Sequence, residues 1–394
     1  MNQPNRKAVR ILTYHYLRNN GAFLYAFSLC RNLTELLPGC DVKILDYRAP
    51  SLRYYDLAKI VKLQPGSPLF YLRRHLLFEK AIGAHLPLDT SVPNHASHKR
   101  MMDWLQARRY HGLIVAMDSW NVRRSLHLPS FPNPYWLDES ITANKIAFSV
   151  SAFNSDPGLL RVHRDTIRRI LNSYRIIGAR DDFTFTLLRE LGLDDCVHVE
   201  RTYDPTLEYP IDHTDIDQKL AHLGVDSARP TLGLMLHGKP ELCQTLREFY
   251  ADRGYQILGV GMYNPHADIN LGDKLNPFEW ASALSRLSLC ITDRFHGTLF
   301  CLKNDTPVVC IEPKPIAREQ SKLYCLLSDF GTENLYMDDT LQTSGPSRLA
   351  EAMLEVQGAW DSVYSAHISA KIEEMVRKNK EFGLGVARSL QTES

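Results

Sequence analysis

The chain has 394 residues, of which 44% are hydrophobic and 23% are charged, as in an ordinary globular protein. Its 46 lysine and arginine residues stand against 45 aspartate and glutamate residues, so the formal net charge is +1. This balance excludes a strongly basic surface for nucleic acid, and the length favours two domains over one. The eight cysteines show no CxxC pair and no zinc-type spacing, so we interpret them as reduced thiols and expect no metal.

No stretch reaches the roughly 20 consecutive apolar residues that a membrane span needs. The basic start MNQPNRKAVR is followed by too few apolar residues for a signal peptide. We therefore expect a cytoplasmic chain. The sequence leaves open a peripheral contact with the inner face of the membrane.

The first half of the chain alternates predicted strands and helices. Apolar runs predict strands at 9–14 and 42–47 around a helix at 22–37, and this strand–helix–strand opening predicts a parallel sheet. We expect an N-terminal Rossmann-like domain at 1–208. Its later elements are predicted strands at 112–117, 145–150, 175–178 and 196–200, and predicted helices at 165–171 and 182–191.

Within this domain, residues 51–110 form an irregular segment that interleaves aromatic and basic residues, as in SLRYYDLAKIVKLQPGSPLFYLRRHLLFEK. We interpret it as a helical insertion packed on the sheet. The alternative is an amphipathic face that approaches a membrane-bound or polymeric acceptor.

The second half repeats the alternating pattern after a polar linker at 209–229. We expect a second Rossmann-like domain at 230–348, and C-terminal helices at 349–394 that pack back on the first domain. Two such layers joined by a linker would face each other across a cleft. The predicted strands are 231–236, 255–260, 289–292 and 308–311, and the predicted helices are 241–252, 277–287 and 298–303.

The stretch LCITDRFHGTLF places polar residues between a buried strand and a helix predicted to begin near Thr298. Ligands of parallel sheets collect at such strand ends, and a helix N-terminus favours an anion. Arg294 can bind a carboxylate or phosphate through two parallel hydrogen bonds, and His296 can carry a proton near neutral pH. Gly297 would allow a sharp turn. The alternative is that Arg294 pairs with Asp293 and His296 caps the turn.

A second cation has a similar place in IIGARDDFTF, where Arg180 follows a predicted strand. Asp181 and Asp182 stand at the start of the next helix, where carboxylates suit the helix dipole. Arg180 is therefore a second candidate for anion binding. The alternative is a structural ion pair between Arg180 and these two acids.

Two further strand ends carry polar candidates. Asn20 and Gly21 lie in the turn after the first strand, but no GxGxxG is present, which argues against a dehydrogenase. His237 and His15 also follow predicted strands, and capping a turn is the alternative role for each.

Several of these stretches together resemble the polysaccharide pyruvyl transferase family. NNGAFLYAFSLCRNLTELLPGCDVKILDYR is similar to the family's opening, GARDDFTFTLLRELGL to its Arg-Asp/Glu helix start, and ITDRFHGTLFCLKNDTPVVCIEP is the closest match. HGLIVAMDSWN resembles the family's Gly-Ser-Asp-x-x-Trp strand end. Here Ala116 and Met117 replace the Gly-Ser, and Trp120 is one residue nearer. The ordered likeness covers most of residues 8–335.

The resemblance implies an α/β fold of the GT-B-like kind, with two Rossmann-type domains whose parallel sheets face a cleft. It implies transfer of pyruvate from phosphoenolpyruvate, without a cofactor, to a sugar of a cell-surface polysaccharide or its precursor, forming a ketal. The acceptor would lie on the N-terminal side and the donor on the C-terminal side, and the sequence leaves open whether the acceptor is lipid-linked. Arg294 and His296 become the candidate catalytic residues. The candidate substrate-binding residues are Arg180, Asn20, Gly21, Asp118, His237, Gly297 and Thr298.

Two rival functions share this fold. One is a GT-B glycosyltransferase that uses a nucleotide sugar, and the other is a catalytically silent binding protein. Stabilisation by phosphoenolpyruvate but not by nucleotide sugars would separate the first rival from a pyruvyl transferase. The intact Arg-x-His-Gly motif argues against the second rival, whereas the altered Ala116-Met117 pair keeps it open.

Overall fold

A computed structural model describes residues 6–51, 66, 68–93, 97–125, 129–193, 195–312, 316–337 and 346–391. The chain forms two compact units. The first contains Met1–Lys59, Ala81–Tyr209 and Met375–Ser394, and the second contains Ile60–Lys80 and Pro210–Glu374.

The first unit is built on a seven-stranded parallel sheet in the order β3-β2-β1-β4-β5-β6-β7. Its strands are β1 (Lys7–Leu12), β2 (Cys40–Leu45), β3 (Leu88–Asp89), β4 (Gly112–Met117), β5 (Asn144–Val150), β6 (Tyr174–Ala179) and β7 (His198–Arg201). The helices along the same stretch are α1 (Asn20–Leu36), α2 (Pro68–His85), α3 (His98–Gln106), α4 (Pro157–Val162), α5 (Arg164–Leu171) and α6 (Asp182–Glu190).

Strand order in this sheet reverses between β1 and β4. The chain proceeds outwards from β1 to β3 on one side, and then from β4 to β7 on the other. All six residues of β4, GLIVAM, are buried, as expected for a central parallel strand covered on both faces. Such a reversal leaves a crevice beyond the carboxyl ends of the two central strands, where ligands of open α/β sheets bind.

The second unit repeats this design with a six-stranded parallel sheet in the order β10-β9-β8-β11-β12-β13, which reverses between β8 and β11. Its strands are β8 (Thr231–Met235), β9 (Gln256–Gly259), β10 (Ile269–Asn270), β11 (Leu289–Thr292), β12 (Val308–Ile311) and β13 (Tyr336–Met337). The helices that follow Tyr209 are α7 (Ile216–His222), α8 (Pro240–Ala251), α9 (Pro277–Ala283), α10 (Phe295–Lys303), α11 (Lys322–Phe330), α12 (Pro346–Ala359) and α13 (Ser365–Gln391).

The C-terminal end of α13 packs on the sheet of the first unit. The Asn379 side-chain amide makes two hydrogen bonds with the backbone of Tyr203. It accepts from the Tyr203 N–H at 2.8 Å and donates to the Tyr203 C=O at 3.1 Å. The Phe382 ring meets Phe148 edge-on at 5.1 Å. A Cβ on Gly178 would lie 2.8 Å from Phe382, so only glycine allows this close packing.

The predicted parallel α/β fold is confirmed, and three strands have the predicted bounds: β4, β11 and β12. The two-residue strands β3, β10 and β13 were not predicted, because they are too short to show a period. The predicted linker at 209–229 contains α7, which buries Ile216 and Leu220.

None of the helices that the structure describes combines the length and hydropathy of a membrane-spanning segment.

The irregular segment contains α2, β3 and α3, and its residues 52–65 lie outside the described residues. The long C-terminal helix predicted from residue 349 starts at Pro346 and continues to Gln391. It is interrupted by a π-helical turn at Trp360–Tyr364.

Candidate functional site

In the second unit, the loop between β11 and α10 carries the two candidate catalytic residues. Helix α10 begins at Phe295 and not near Thr298, so the predicted start was three residues late. Arg294 immediately precedes the first turn with extended dihedral angles (φ −117°, ψ 128°), and the Thr298 N–H donates to its carbonyl at 2.9 Å. His296 therefore lies in the first turn, at the positive end of the helix dipole.

A buried carboxylate, Asp293, connects this loop with the loop that follows β8. Its Oδ2 accepts a hydrogen bond from the backbone N–H of His237 at 2.7 Å, and its Oδ1 lies 2.8 Å from Nε of Arg294. The two strands are neighbours, with Thr292 opposite Met235. Burial raises the pKa of Asp293, and the positive charge of Arg294 and the His237 N–H act against this rise.

The Arg294–Asp293 pair expected as the alternative is thus present, but it leaves Arg294 accessible. The Arg294 side chain is 45% exposed, whereas that of Asp293 is 1% exposed. In the part of the chain that the structure describes, no acceptor other than Asp293 contacts this guanidinium. The pair therefore engages Nε of Arg294 and leaves a partly exposed side chain whose two Nη groups can bind an anion.

The neighbouring candidates have different environments. His296 is partly exposed as a residue, although its Nε2 is buried, and its ring meets the Phe295 ring edge-on at 5.2 Å. His237 is exposed. Thr298 is fully buried, and its hydroxyl donates to the Arg294 carbonyl at 3.1 Å, so it supports the start of the helix.

Gly297 has a different role from the sharp turn that was predicted, because it lies inside α10. A Cβ at this position would come within 2.7 Å of both Met235 Sδ and Thr292 Oγ1. Glycine is therefore needed for space, and it allows the first turn to pack closely on the ends of β8 and β11.

In the first unit, Arg180 at the end of β6 lies between two carboxylates. Its Nη2 is 2.5 Å from Asp118 Oδ1, after β4, and its Nη1 is 3.3 Å from Asp204 Oδ2, after β7. Burial acts to lower the pKa of Arg180, but the charges of Asp118 and Asp204 outweigh it and raise the pKa. The Asp204 side chain is 3% exposed and that of Asp118 is 36% exposed, so Asp118 is the acid that a ligand can reach.

The alternative prediction, in which Arg180 forms ion pairs with Asp181 and Asp182, was wrong. Asp181 accepts from the Thr184 N–H at 2.8 Å and caps α6, as its place at a helix start favours. Asp182 pairs instead with Arg201, whose Nε is 2.8 Å from Oδ1. The true partners come from strands far apart in sequence, which adjacency in the sequence could not reveal.

The sequence analysis also missed Tyr25, a buried residue of α1. Its hydroxyl is the donor to the Phe148 carbonyl at 3.0 Å and the Ser149 carbonyl at 2.9 Å. The same hydroxyl accepts a hydrogen bond from the Met117 N–H at 3.1 Å. Met117 (φ 72°) and Ser149 (φ 48°) both have left-handed backbone conformations that cost free energy in residues with a side chain. Tyr25 therefore stabilises the strained ends of β4 and β5. One of the strained residues, Met117, belongs to the altered Ala116-Met117 pair.

At the start of α1, the candidate Gly21 has its amide already occupied, because the Asn19 side chain accepts from it at 2.9 Å. The other candidate, Asn20, is buried. Asn20 Oδ1, Thr13 Oγ1 and Ser119 Oγ are buried without a hydrogen-bond partner in the described ranges. They follow β1 or β4, the two strands at which the order of the sheet reverses.

His15 is fully buried, with Nε2 3.0 Å from Asp46 Oδ1, so its position is structural. The His15 hydrogen bond and Arg48 lower the pKa of Asp46 against the effect of burial. Across the residues whose placement is described, no group of histidine, cysteine, aspartate and glutamate side chains is arranged to hold a metal ion.

The sequence profile of the family described as polysaccharide pyruvyl transferase matches residues 21–315, well over half of the chain. No curated protein sequence matches the chain significantly.

Solved structures with the same fold include Medicago truncatula UGT71G1 complexed with UDP-glucose, at 10% identity and a TM-score of 0.53 over 98% of this chain and 99% of that one. TcCGT1 in complex with UDP gives the same identity, TM-score and coverage. A UDP-N-acetylglucosamine 2-epimerase matches at 10% identity and a TM-score of 0.51 over 90% and 95% of the two chains. At this identity the likeness shows the fold, which is GT-B-like as predicted.

Proposed function

Because this chain belongs to the polysaccharide pyruvyl transferase family, we propose that it transfers the pyruvyl group of phosphoenolpyruvate to a saccharide of a cell-surface polysaccharide or its precursor. One observation carries the proposal. Asp293 lies 2.8 Å from Nε of Arg294 beside the first turn of α10, while the Arg294 side chain is 45% exposed. A cation placed in this way, next to a helix N-terminus, suits a small ligand with two anionic groups.

Phosphoenolpyruvate carries a carboxylate and a phosphate on the same carbon atom. We assign one of these groups to the Nη atoms of Arg294 and the other to the N–H groups at the start of α10. His296 lies in that same turn, which makes it the candidate for proton transfer to a donor bound there. His237 follows β8 and is tied to the site through its backbone N–H.

The proposed reaction converts the donor into a ketal in two steps. In the first, a sugar hydroxyl adds to C2 and loses its proton to a base, while the methylene carbon takes up a proton from an acid. The C=C π bond is thereby replaced by a new C–O bond at C2 and a new C–H bond of the methyl group. In the second, another hydroxyl of the sugar attacks C2, the C–O bond to phosphate breaks, and phosphate leaves with the proton of that hydroxyl. A general acid–base group is needed in both steps, and His296 is our candidate.

We assign the acceptor to the first unit. Arg180 orients Asp118, whose partly exposed carboxylate can accept a hydrogen bond from a sugar hydroxyl and remove its proton.

A donor-binding experiment tests the proposal against the nucleotide-sugar alternative. The thermal midpoint of the purified chain is measured with phosphoenolpyruvate, UDP-glucose or UDP, each over a range of concentrations. We expect stabilisation by phosphoenolpyruvate only, since a ligand that binds the folded state raises the midpoint. Stabilisation by a uridine nucleotide and not by phosphoenolpyruvate would overturn the proposed donor.

A further inference from the structure

Helix α2 presents three leucines to solvent on one face. Leu69, Leu72 and Leu76 are 48%, 43% and 58% exposed. Their spacing of three and four residues places them side by side along the helix. Of the eight large hydrophobic side chains exposed among the described residues, these three alone lie together within eight residues of sequence.

The opposite face of the same helix is firmly packed. Phe70 and Phe78 are buried, and the Phe70 ring meets Tyr263 edge-on at 5.6 Å. The buried Arg74 donates from Nη1 to the Gly272 carbonyl at 2.7 Å. The exposed leucines are therefore not needed to hold the helix in place, and they leave a continuous apolar stripe on a rigid support.

Positive charge accompanies the stripe. At 100° per residue, the three leucines, Arg73 and Lys80 share an arc of about 100°, and Glu79 lies about 20° beyond its edge, next to Leu72. Arg73 is 56% exposed at its side chain, with Nη1 3.8 Å from Asp273 Oδ2, and Lys80 is exposed. Helix α2 contains three cations, Arg73, Arg74 and Lys80, against one acid, Glu79, although the whole chain has a net charge of only +1.

We propose that this face, formed by Leu69, Leu72, Arg73, Leu76 and Lys80, docks the chain on an anionic phospholipid surface. Leucines inserted at the boundary between headgroups and acyl chains, with cations beside the headgroups, are how interfacial helices bind a membrane. The charge complementarity favours anionic lipid over a second copy of this chain, because the same positive face would repel itself. This inference is independent of the proposed donor and acceptor.

Vesicle co-sedimentation with the full chain tests this inference. The probes are vesicles of phosphatidylcholine alone and vesicles in which a third of the lipid is phosphatidylglycerol. We expect binding to the anionic vesicles that weakens with salt, and little binding to the neutral ones. The Leu72→Glu/Leu76→Glu variant should bind anionic vesicles at least about tenfold more weakly, since two apolar groups are lost and two negative charges are added.

The matched control is Leu384→Glu, the same change at a leucine of α13 that is 52% exposed, and it should reduce vesicle binding by less than about twofold. Thermal unfolding checks that each variant is folded. Equal binding of the parent and the double variant would overturn the proposal, as would a parent that binds neither kind of vesicle. A parent that self-associates in light scattering without binding vesicles, and a double variant that is monomeric, would assign the face to a contact between copies instead.

Discussion

The carboxylate of Asp293 lies 2.8 Å from Nε of Arg294, with the acid almost fully buried and the base half exposed. A buried anion thus lies against Nε of an arginine whose side chain is 45% exposed. Because Asp293 also accepts the His237 N–H, it determines the relative position of two strand-end loops in the second unit. The predictions for the donor site follow from this pair.

Replacing Arg294 with lysine should weaken phosphoenolpyruvate binding roughly 10- to 100-fold although the charge is kept, because lysine cannot make two parallel hydrogen bonds. Isothermal titration calorimetry measures the affinity. The control is Arg247→Lys, since Arg247 has a similar exposure of 40% and a similar pair with Asp268 at 2.9 Å. Equal affinities in the parent and Arg294→Lys would remove Arg294 from the donor site.

Asp293→Asn should weaken donor binding about 3- to 10-fold, since the amide can still accept the His237 N–H but no longer pairs with Arg294 as an anion. The pH dependence of donor affinity separates a loss of Arg294 positioning from a general loss of structure in the variant. The pKa of Asp293 is raised, so the parent loses this anion on acidification before an ordinary aspartate would. The ratio of parent to variant affinity should therefore fall towards one as the pH is lowered towards the raised pKa of this carboxyl. A ratio that is constant over this range would argue that the pair does not act on the donor.

His296→Ala should lower turnover by about 100- to 10,000-fold, the usual contribution of general acid–base catalysis, while donor binding falls far less. Steady-state kinetics and calorimetry on the same preparation separate the two effects. His222→Ala, at an exposed histidine of α7, is the control. Turnover of His296→Ala within about threefold of the parent would exclude His296 as the general acid and direct attention to His237.

Arg180→Met should lower the free energy of unfolding by roughly 3–5 kcal/mol, because it leaves the carboxylates of Asp118 and Asp204 without their cation. Urea denaturation gives the measurement. The double variant Arg180→Met/Asp204→Asn also removes one of the two uncompensated carboxylate charges, so it should recover part of the lost free energy of unfolding. A single variant as stable as the parent would mean that the three charges are not coupled as the structure indicates.

Lys145 provides a test of stability away from the candidate sites. Burial lowers its pKa to about 8, and its Nζ donates to the Asp138 carbonyl at 2.8 Å. Between this value and its ordinary pKa, the unfolded chain binds a proton that the folded chain does not, so this residue makes stability rise with pH. The stability of the parent relative to Lys145→Met should increase by about 2 kcal/mol from pH 8 to pH 10.

Urea denaturation at several pH values measures this difference. The same substitution at Lys43, a lysine of β2 whose side chain is 41% exposed, is the control for the loss of one positive charge. A difference between the parent and Lys145→Met that does not change with pH would contradict a desolvated ammonium at this position.

The fold was predictable because its central strands are continuous apolar runs separated by helical periods, as β4 shows with GLIVAM. The Arg294 loop was found for the same reason, since it separates two such runs. The ion-pair network around Arg180 was not predicted, because its partners Asp118 and Asp204 are brought together only by the order of the strands. Tyr25 was missed because a buried tyrosine in an apolar helix looks like core until its hydroxyl is placed.

The most direct test of the proposed reaction is the pyruvate ketal content of the cell-surface polysaccharide, measured by mass spectrometry. The comparison is between cells that lack this chain and the same cells supplied with the parent or with His296→Ala. We predict ketals with the parent, and none above background with the deletion or with His296→Ala. The same ketal content in all three would contradict the proposal that this chain is a pyruvyl transferase acting through His296.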